Sequence, residues 1–304
     1  MMSGNGPVLV VGGTGMLGGQ VVAELLSRGE RVRALVRPSS DANRLERAGA
    51  EIARGDMMDP ASLLQAMDGA DAVISTAAGY TRHSKGDTDK IDTIGNRNLA
   101  DAASRSGVRR FVLTSILTCD QTPQVPHFWH KKLAEDRLEE LGVPFVSLRP
   151  GAFFDMITRM SGEPFAKRRL MSLGSPMIPL TFVLTQDLAG YLADAVDAPG
   201  VDGQRIDIGW DRPVSTQEVA HISGRLLGHQ IRVRTIPAGL INTAGAVVGR
   251  FNPMVKDLAA MARWFQTGRY VANPSRQREV FGQVPTAEEA ITRFVRSLGQ
   301  PIAA

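Results

Sequence analysis

Five of the ten residues in "VVGGTGMLGG" (10–19) are glycine, and the stretch lies between an apolar run and a helical pattern. No other part of the chain restricts its fold as much. A strand must end there and a helix begin, with a backbone bare of side chains between them. Glycine permits the tight turn and the close approach of a ligand. The helix start offers N–H groups and a partial positive charge, which suit a pyrophosphate. The spacing Gly13-x-Gly15-x-x-Gly18 therefore predicts a dinucleotide cradle made of Gly12, Gly13, Thr14, Gly15, Met16, Leu17 and Gly18.

The first half of the chain keeps the same rhythm. "PVLVVG", "RVRALVR", "AEIARGD", "ADAVISTAA", "RRFVLTS" and "PFVSLRP" read as strands, and stretches such as "DPASLLQAMDG" and "IGNRNLADAASRSG" separate them as helices. That alternation predicts an α/β fold, a doubly wound parallel sheet covered on both faces. After Pro150 the rhythm breaks, and proline, glycine and methionine become frequent. We expect a dinucleotide-binding core over residues 1–150. A smaller mixed C-terminal substrate lobe follows over 151–304, with segments at about 181–210 returning to the core. In that lobe "STQEVAHISGRLLG" opens with Ser215-x-x-Glu218, a capping-box spacing, and "TAEEAITRFVRSLG" is amphipathic.

Composition narrows the class. A hydrophobic share of 43% and a charged share of 22% are those of a soluble globular protein. The net charge of +4 comes from scattered basic residues, which suits an anionic small molecule and gives no reason to expect nucleic acid. Cys119 is the single cysteine, so no intramolecular disulfide forms, as in a reducing cytoplasm. "IPAGLINTAGAVVG" is too short to span a bilayer, so no membrane partner is expected. No histidine pattern suggests a metal.

The end of the second strand selects among dinucleotides. An acidic residue about twenty residues beyond the glycines would hold an NAD ribose. This strand ends "ALVRPSS", with Arg37 in that place and Ser39 and Ser40 after it. Arginine pairs with phosphate, so the expected cofactor is NADP(H). Asp56 and Met57 in "GDMMD" are expected to border the adenine. Thr76, Ala77 and Ala78 in "STAAG" are expected to run beneath a ribose.

Together "VVGGTGMLGGQVVAELLSRGERVRALVRPSS", "GDMMDPASLLQAMDGADAVISTAAG", "GNRNLADAASRSGVRRFVLTS" and "KLAEDRLEELGVPFVSLRPGAFF" resemble an atypical short-chain dehydrogenase/reductase of the NmrA-like kind. The resemblance covers about residues 7–154 well and continues loosely beyond. It implies a Rossmann-type core and hydride transfer from NADPH to an apolar or aromatic carbonyl, enone or quinone. In typical reductases of this superfamily a Tyr-x-x-x-Lys pair protonates the carbonyl and holds the nicotinamide ribose. Here the matching helix reads "HFWHKKLAEDRLEELG". Lys131 falls on the lysine position and His127 on the tyrosine position; shifting by one gives Lys132 and Phe128. Neither register contains a tyrosine. Lys131 is then expected to touch the ribose, His127 to act as the acid, and Ser115 to stand beside the nicotinamide. Tyr80, Phe153, Phe154 and Trp264 are weaker candidates for substrate contact. Two readings stay open: a reductase, and a non-catalytic NADP(H)-binding sensor with a regulatory protein partner. Homodimerisation is also left open.

Overall fold

In a computed structural model of the chain, the described residues are 6–79, 88–160, 162, 164–282 and 284–299. The glycine-rich stretch joins β1 (Val8–Val11) to α1 (Met16–Ser27). The alternation then continues through β2 (Val32–Val36), α2 (Asn43–Ala48), β3 (Glu51–Arg54), α3 (Pro60–Met67) and β4 (Ala72–Ser75). It goes on with α4 (Asn96–Ser106), β5 (Arg110–Thr114), α5 (Pro126–Glu140) and β6 (Phe145–Pro150). A strand at Gln204–Ile208 completes a seven-stranded sheet.

The strands lie in the order Gln204–Ile208, β6, β5, β4, β1, β2, β3. Every pairing among β1 to β6 is parallel. This is a Rossmann-type sheet. Chain order reverses beside β1, where β2 leads one way and β4 the other. In open parallel sheets a ligand crevice forms at such a reversal, at the carboxyl ends of the strands. The glycine stretch leaves β1 at that end. The inner strands are apolar runs because both faces are covered, and β1, β4, β5 and β6 are buried throughout. β3 lies at the edge and is partly exposed, which explains its weak apolar pattern.

The chain divides into two compact units. One comprises Met1–Arg149 with Gln186–Ile206; the other comprises Pro150–Thr185 with Asp207–Ala304. The second unit is built round aromatic side chains. Phe154 stands 5.2 Å from Trp210, 5.3 Å from Phe294 and 5.6 Å from Phe182, ring centre to ring centre. Its helix Thr216–Leu226 starts at Ser215, whose Oγ accepts from the Glu218 N–H. The Glu218 carboxylate does not turn back to close the box. It accepts from Arg212 instead. A complete capping box starts the helix Ala287–Ser297, between Thr286 and Glu289.

Candidate active site

The cradle follows from three glycines with different jobs. Gly12 has φ +90, and a Cβ there would lie 2.7 Å from Thr76 Oγ1. Gly18 opens α1 so close to the turn that a Cβ would lie 2.1 Å from the Gly12 carbonyl oxygen. Gly15 precedes the helix, and its N–H donates to the Gly12 carbonyl. No side chain caps this helix start and no acidic residue lies in its first turn. The backbone N–H groups and the positive helix end therefore face a ligand unopposed, an anion site in physical terms.

Arg37, Ser39 and Ser40 follow β2. The Arg37 carbonyl closes a turn with the Ser40 N–H, and its guanidinium is exposed with no partner among the described residues. Arg54, at the end of β3, donates to the carbonyls of Ser40 at 2.8 Å and Arg37 at 3.3 Å. The guanidinium of Arg44, on α2, would touch a Cβ at Gly19. The cationic border of the cradle therefore includes Arg54 and Arg44, which sequence reasoning missed. Nothing in a lone arginine at an edge strand or on an exposed helix marks it for this place.

Asp56 and Met57, expected at the adenine border, lie just after β3. The Asp56 carboxylate accepts from the Met58 N–H at 2.9 Å, which folds the turn before α3. Met57 is buried in the core, against Gly95.

Lys131 and the "STAAG" segment come together. Thr76 binds back to the Val11 carbonyl, which fixes the exit of β4 against the cradle. The Lys131 ammonium donates to the Ala77 carbonyl at 2.8 Å, and Asp92 Oδ1 lies 3.8 Å away. The Asp92 carboxylate accepts from the Gly79 N–H with both oxygens at 3.1 Å. The two side chains are only 5% and 2% exposed. Burial pushes the Lys131 ammonium below its ordinary range, opposed chiefly by Asp92. Burial likewise pushes the Asp92 carboxyl up, opposed by Lys131 and the Gly79 N–H. Asp92 also escaped the sequence reading. It sits in a π-helical segment, Thr88–Gly95, a distortion that periodicity does not reveal and that often marks functional sites.

His127 is one helical turn before Lys131 on α5. It is buried, edge-on to the Phe128 ring at 4.6 Å, and the imidazoles of His127 and His130 both act on Asp92.

Ser115 belongs to a different cluster. Its Oγ lies 3.6 Å from Cys119 Sγ. Behind them the buried Glu135 carboxylate accepts from Ser147 at 2.6 Å, from Arg149 at 2.6 and 3.0 Å, and from Arg205 at 3.2 Å. Burial pushes Glu135 up, but Arg149, Ser147 and Ser115 outweigh it and hold the carboxyl below its ordinary range. Burial and the Glu135 charge push the Cys119 thiol up to about 12, which removes it as a nucleophile near neutral pH. Next to this group Thr118 takes φ 60, a strained conformation for a β-branched residue.

A profile of the NmrA-like family matches residues 4–289. The chain belongs to the NmrA-like family. It is 28% identical over 245 residues to the photosystem II assembly factor Ycf39 of Trieres chinensis, covering 80% of this chain and 76% of that one. It is 30% identical over 294 residues to the divinyl chlorophyllide a 8-vinyl-reductase of Cucumis sativus, covering 88% and 68% respectively. The triphenylmethane reductase of Citrobacter sp., complexed with NADP(H), shares the fold with a TM-score of 0.77 and 19% identity, over 94% of this chain and 99% of that one.

In this NmrA-like chain the remaining candidates fall elsewhere. Phe154 and Trp264, expected as substrate contacts, are interior residues of the second unit. Phe154 packs among aromatic rings, and Trp264 lies beneath the Arg269 guanidinium at 5.0 Å. Phe153 is half-buried in a short strand paired with Phe182–Val183. Tyr80 lies outside the described residues. Among the described residues, no cluster of His, Cys, Asp or Glu is placed to hold a metal ion, and no helix is long and apolar enough to cross a membrane.

Proposed function

We propose that the chain is an NADPH-dependent reductase of an apolar or aromatic carbonyl, enone or quinone. One observation carries the reading: the cradle and the Lys131–Asp92 pair share one wall of backbone, Thr76–Ala77. The residues fit the cofactor. A Cβ at Gly12 or Gly18 would strike the turn or the Thr76–Ala77 wall, so only glycine lets the turn fold this tightly. The uncapped helix start leaves its N–H groups for a pyrophosphate. Gly12 to Gly18 would hold the pyrophosphate, and Arg37 with Arg54 and Ser39 the 2′-phosphate. NADPH supplies a hydride when bound. Lys131 orients the ribose beside it, with Asp92 opposing the burial that disfavours the ammonium's charge. His127 is the proton donor of this reading, being buried one turn from Lys131.

The chain lacks a tyrosine on the helix that would carry it, and the Lys131 ammonium is already engaged by Ala77 and Asp92. Those facts favour a second reading, an NADP(H)-responsive partner protein without turnover. The naming of one relative as an assembly factor is in keeping with it.

Titration with NADPH, NADP+, NADH and NAD+, followed by NADPH consumption with quinones and aromatic enones, separates the readings. Turnover supports the reductase. Tight binding with no turnover of any acceptor, and preference for one redox state, supports the sensor.

Two substitutions probe the residues. Arg37→Ala is expected to weaken NADPH about tenfold to hundredfold, the worth of one charge-assisted pair, and to leave NADH unchanged. Equal losses for both would remove Arg37 from the phosphate site. Asp92→Asn takes away the main influence that opposes burial at Lys131. The ammonium then loses its proton at a lower pH. Cofactor binding that needs the charged lysine is lost as pH rises, so its upper limit moves downward in this variant. A limit that does not move would exclude Lys131 as the titrating group.

A further inference from the structure

Two strands of the second unit, Arg169–Leu173 and Arg232–Ile236, pair in parallel. Their register sets Arg232 beside Arg169, Arg234 beside Met171 and Ile236 beside Leu173. Strand alternation puts all six on one face. Along the strands that face passes from an arginine pair, through arginine beside methionine, to isoleucine beside leucine. At its charged end Lys167, Arg168, Arg169, Arg232 and Arg234, with Gln230, line a concavity of about 470 Å³. None of the five cations has an ion-pair partner among the described residues.

At the apolar end Pro237 leads into the helix Ala238–Val247, none of whose residues is buried. Gly245 packs against Ala259 of the helix Pro253–Phe265, and the outer side stands in solvent. Leu240 is 64% exposed and Phe251 85%. Residues 164–186 and 232–256 contain no acidic residue at all. They hold Lys167, Arg168, Arg169, Arg232, Arg234, Arg250 and Lys256, more positive charge than the net +4 of the whole chain. Basic residues are scattered along the whole chain, but in these segments no acidic residue offsets them.

We infer that this face docks the second unit on the surface of a bilayer rich in anionic lipid. Apolar side chains enter the acyl boundary, and the arginines meet the headgroups above it. A second copy of the chain suits the face less well. A self-paired interface must supply its own counter-charges, and these segments have none. The contact lies on the membrane and does not cross it, so it goes beyond the expectation of no membrane partner, which rested on the lack of a spanning segment. It is independent of the cofactor reading.

The test is flotation of the full chain with vesicles of phosphatidylcholine alone and of phosphatidylcholine mixed equally with phosphatidylglycerol. Binding to the mixed vesicles only, and weaker in high salt, is expected. The R232Q/R234Q variant should bind about fivefold more weakly for each arginine removed. The L240S/F251S variant should lose about tenfold or more for each apolar side chain. All four positions are exposed, so the fold should survive, which circular dichroism checks. Three results would each overturn the proposal. One is no flotation with either vesicle. Another is flotation unchanged in both variants. The third is light scattering that shows a dimer which the L240S/F251S variant splits.

Discussion

Replacing Glu135 by alanine is expected to destabilise the first unit by about 3–5 kcal/mol, the cost of stranding a buried partner charge. Its side chain is 1% exposed and holds Arg149, Arg205 and Ser147 together. Without it, the Arg149 guanidinium keeps only Asp120, at the rim. Urea unfolding at near-neutral pH reads the loss. The acid limb gives an independent sign. The folded protein holds the Glu135 carboxyl below its ordinary 4.5, so the unfolded chain binds that proton first. The stabilisation is complete above the unfolded value and disappears as pH falls through the folded one. Glu135→Gln should therefore trail the parent protein most at neutral pH, and the gap should close in acid below pH 4.5. A loss under about 1 kcal/mol in the alanine variant would place this cluster with ordinary surface ion pairs.

Gly18→Ala should act against the usual rule. Alanine normally stabilises a helix over glycine by about 1 kcal/mol. Here the added Cβ would sit 2.1 Å from one backbone oxygen and 2.7 Å from Thr76 Oγ1, so the backbone must move. Overpacking of that kind costs about 1–3 kcal/mol, enough to cancel or reverse the gain. Because Gly12 is the group displaced, NADPH affinity should fall about a hundredfold on the proposed reading. Gly19→Ala is the control. Its nearest neighbour is the end of the flexible Arg44 side chain, at 3.0 Å, which can swing aside. That variant should gain slightly in stability and lose far less affinity than Gly18→Ala, since only the Arg44 side chain and not the turn has to move. Equal affinity in the two variants would mean that the cradle does not hold the cofactor.

Much of the fold was legible because buried parallel strands write themselves as apolar runs and the glycine stretch fixes where the first helix begins. The edge strand β3 was faint because half of it faces water. Helix α5 hides its register for another reason. Its buried face carries His127, Lys131 and Glu135 as well as Phe128 and Leu138, so no apolar stripe appears. Lys131 was singled out only through family resemblance. Asp92 was one carboxylate in a polar segment, and its partner lies on a helix far along the chain. Phe154 and Trp264 show the converse limit. Aromatic spacing is the same whether a ring faces a ligand or its neighbours, and here both rings face inward.

The wall at Thr76–Ala77 makes the two halves of the site unequal heirs. One side backs Gly12, and the carbonyl of the other receives Lys131. A change at His127 leaves the wall and its bond to Lys131 in place. A change in the glycine turn shifts the wall itself and carries the lysine with it. On the proposed reading, losing the proton donor would leave the nucleotide grip whole, whereas losing the glycine turn would take the grip and the lysine together.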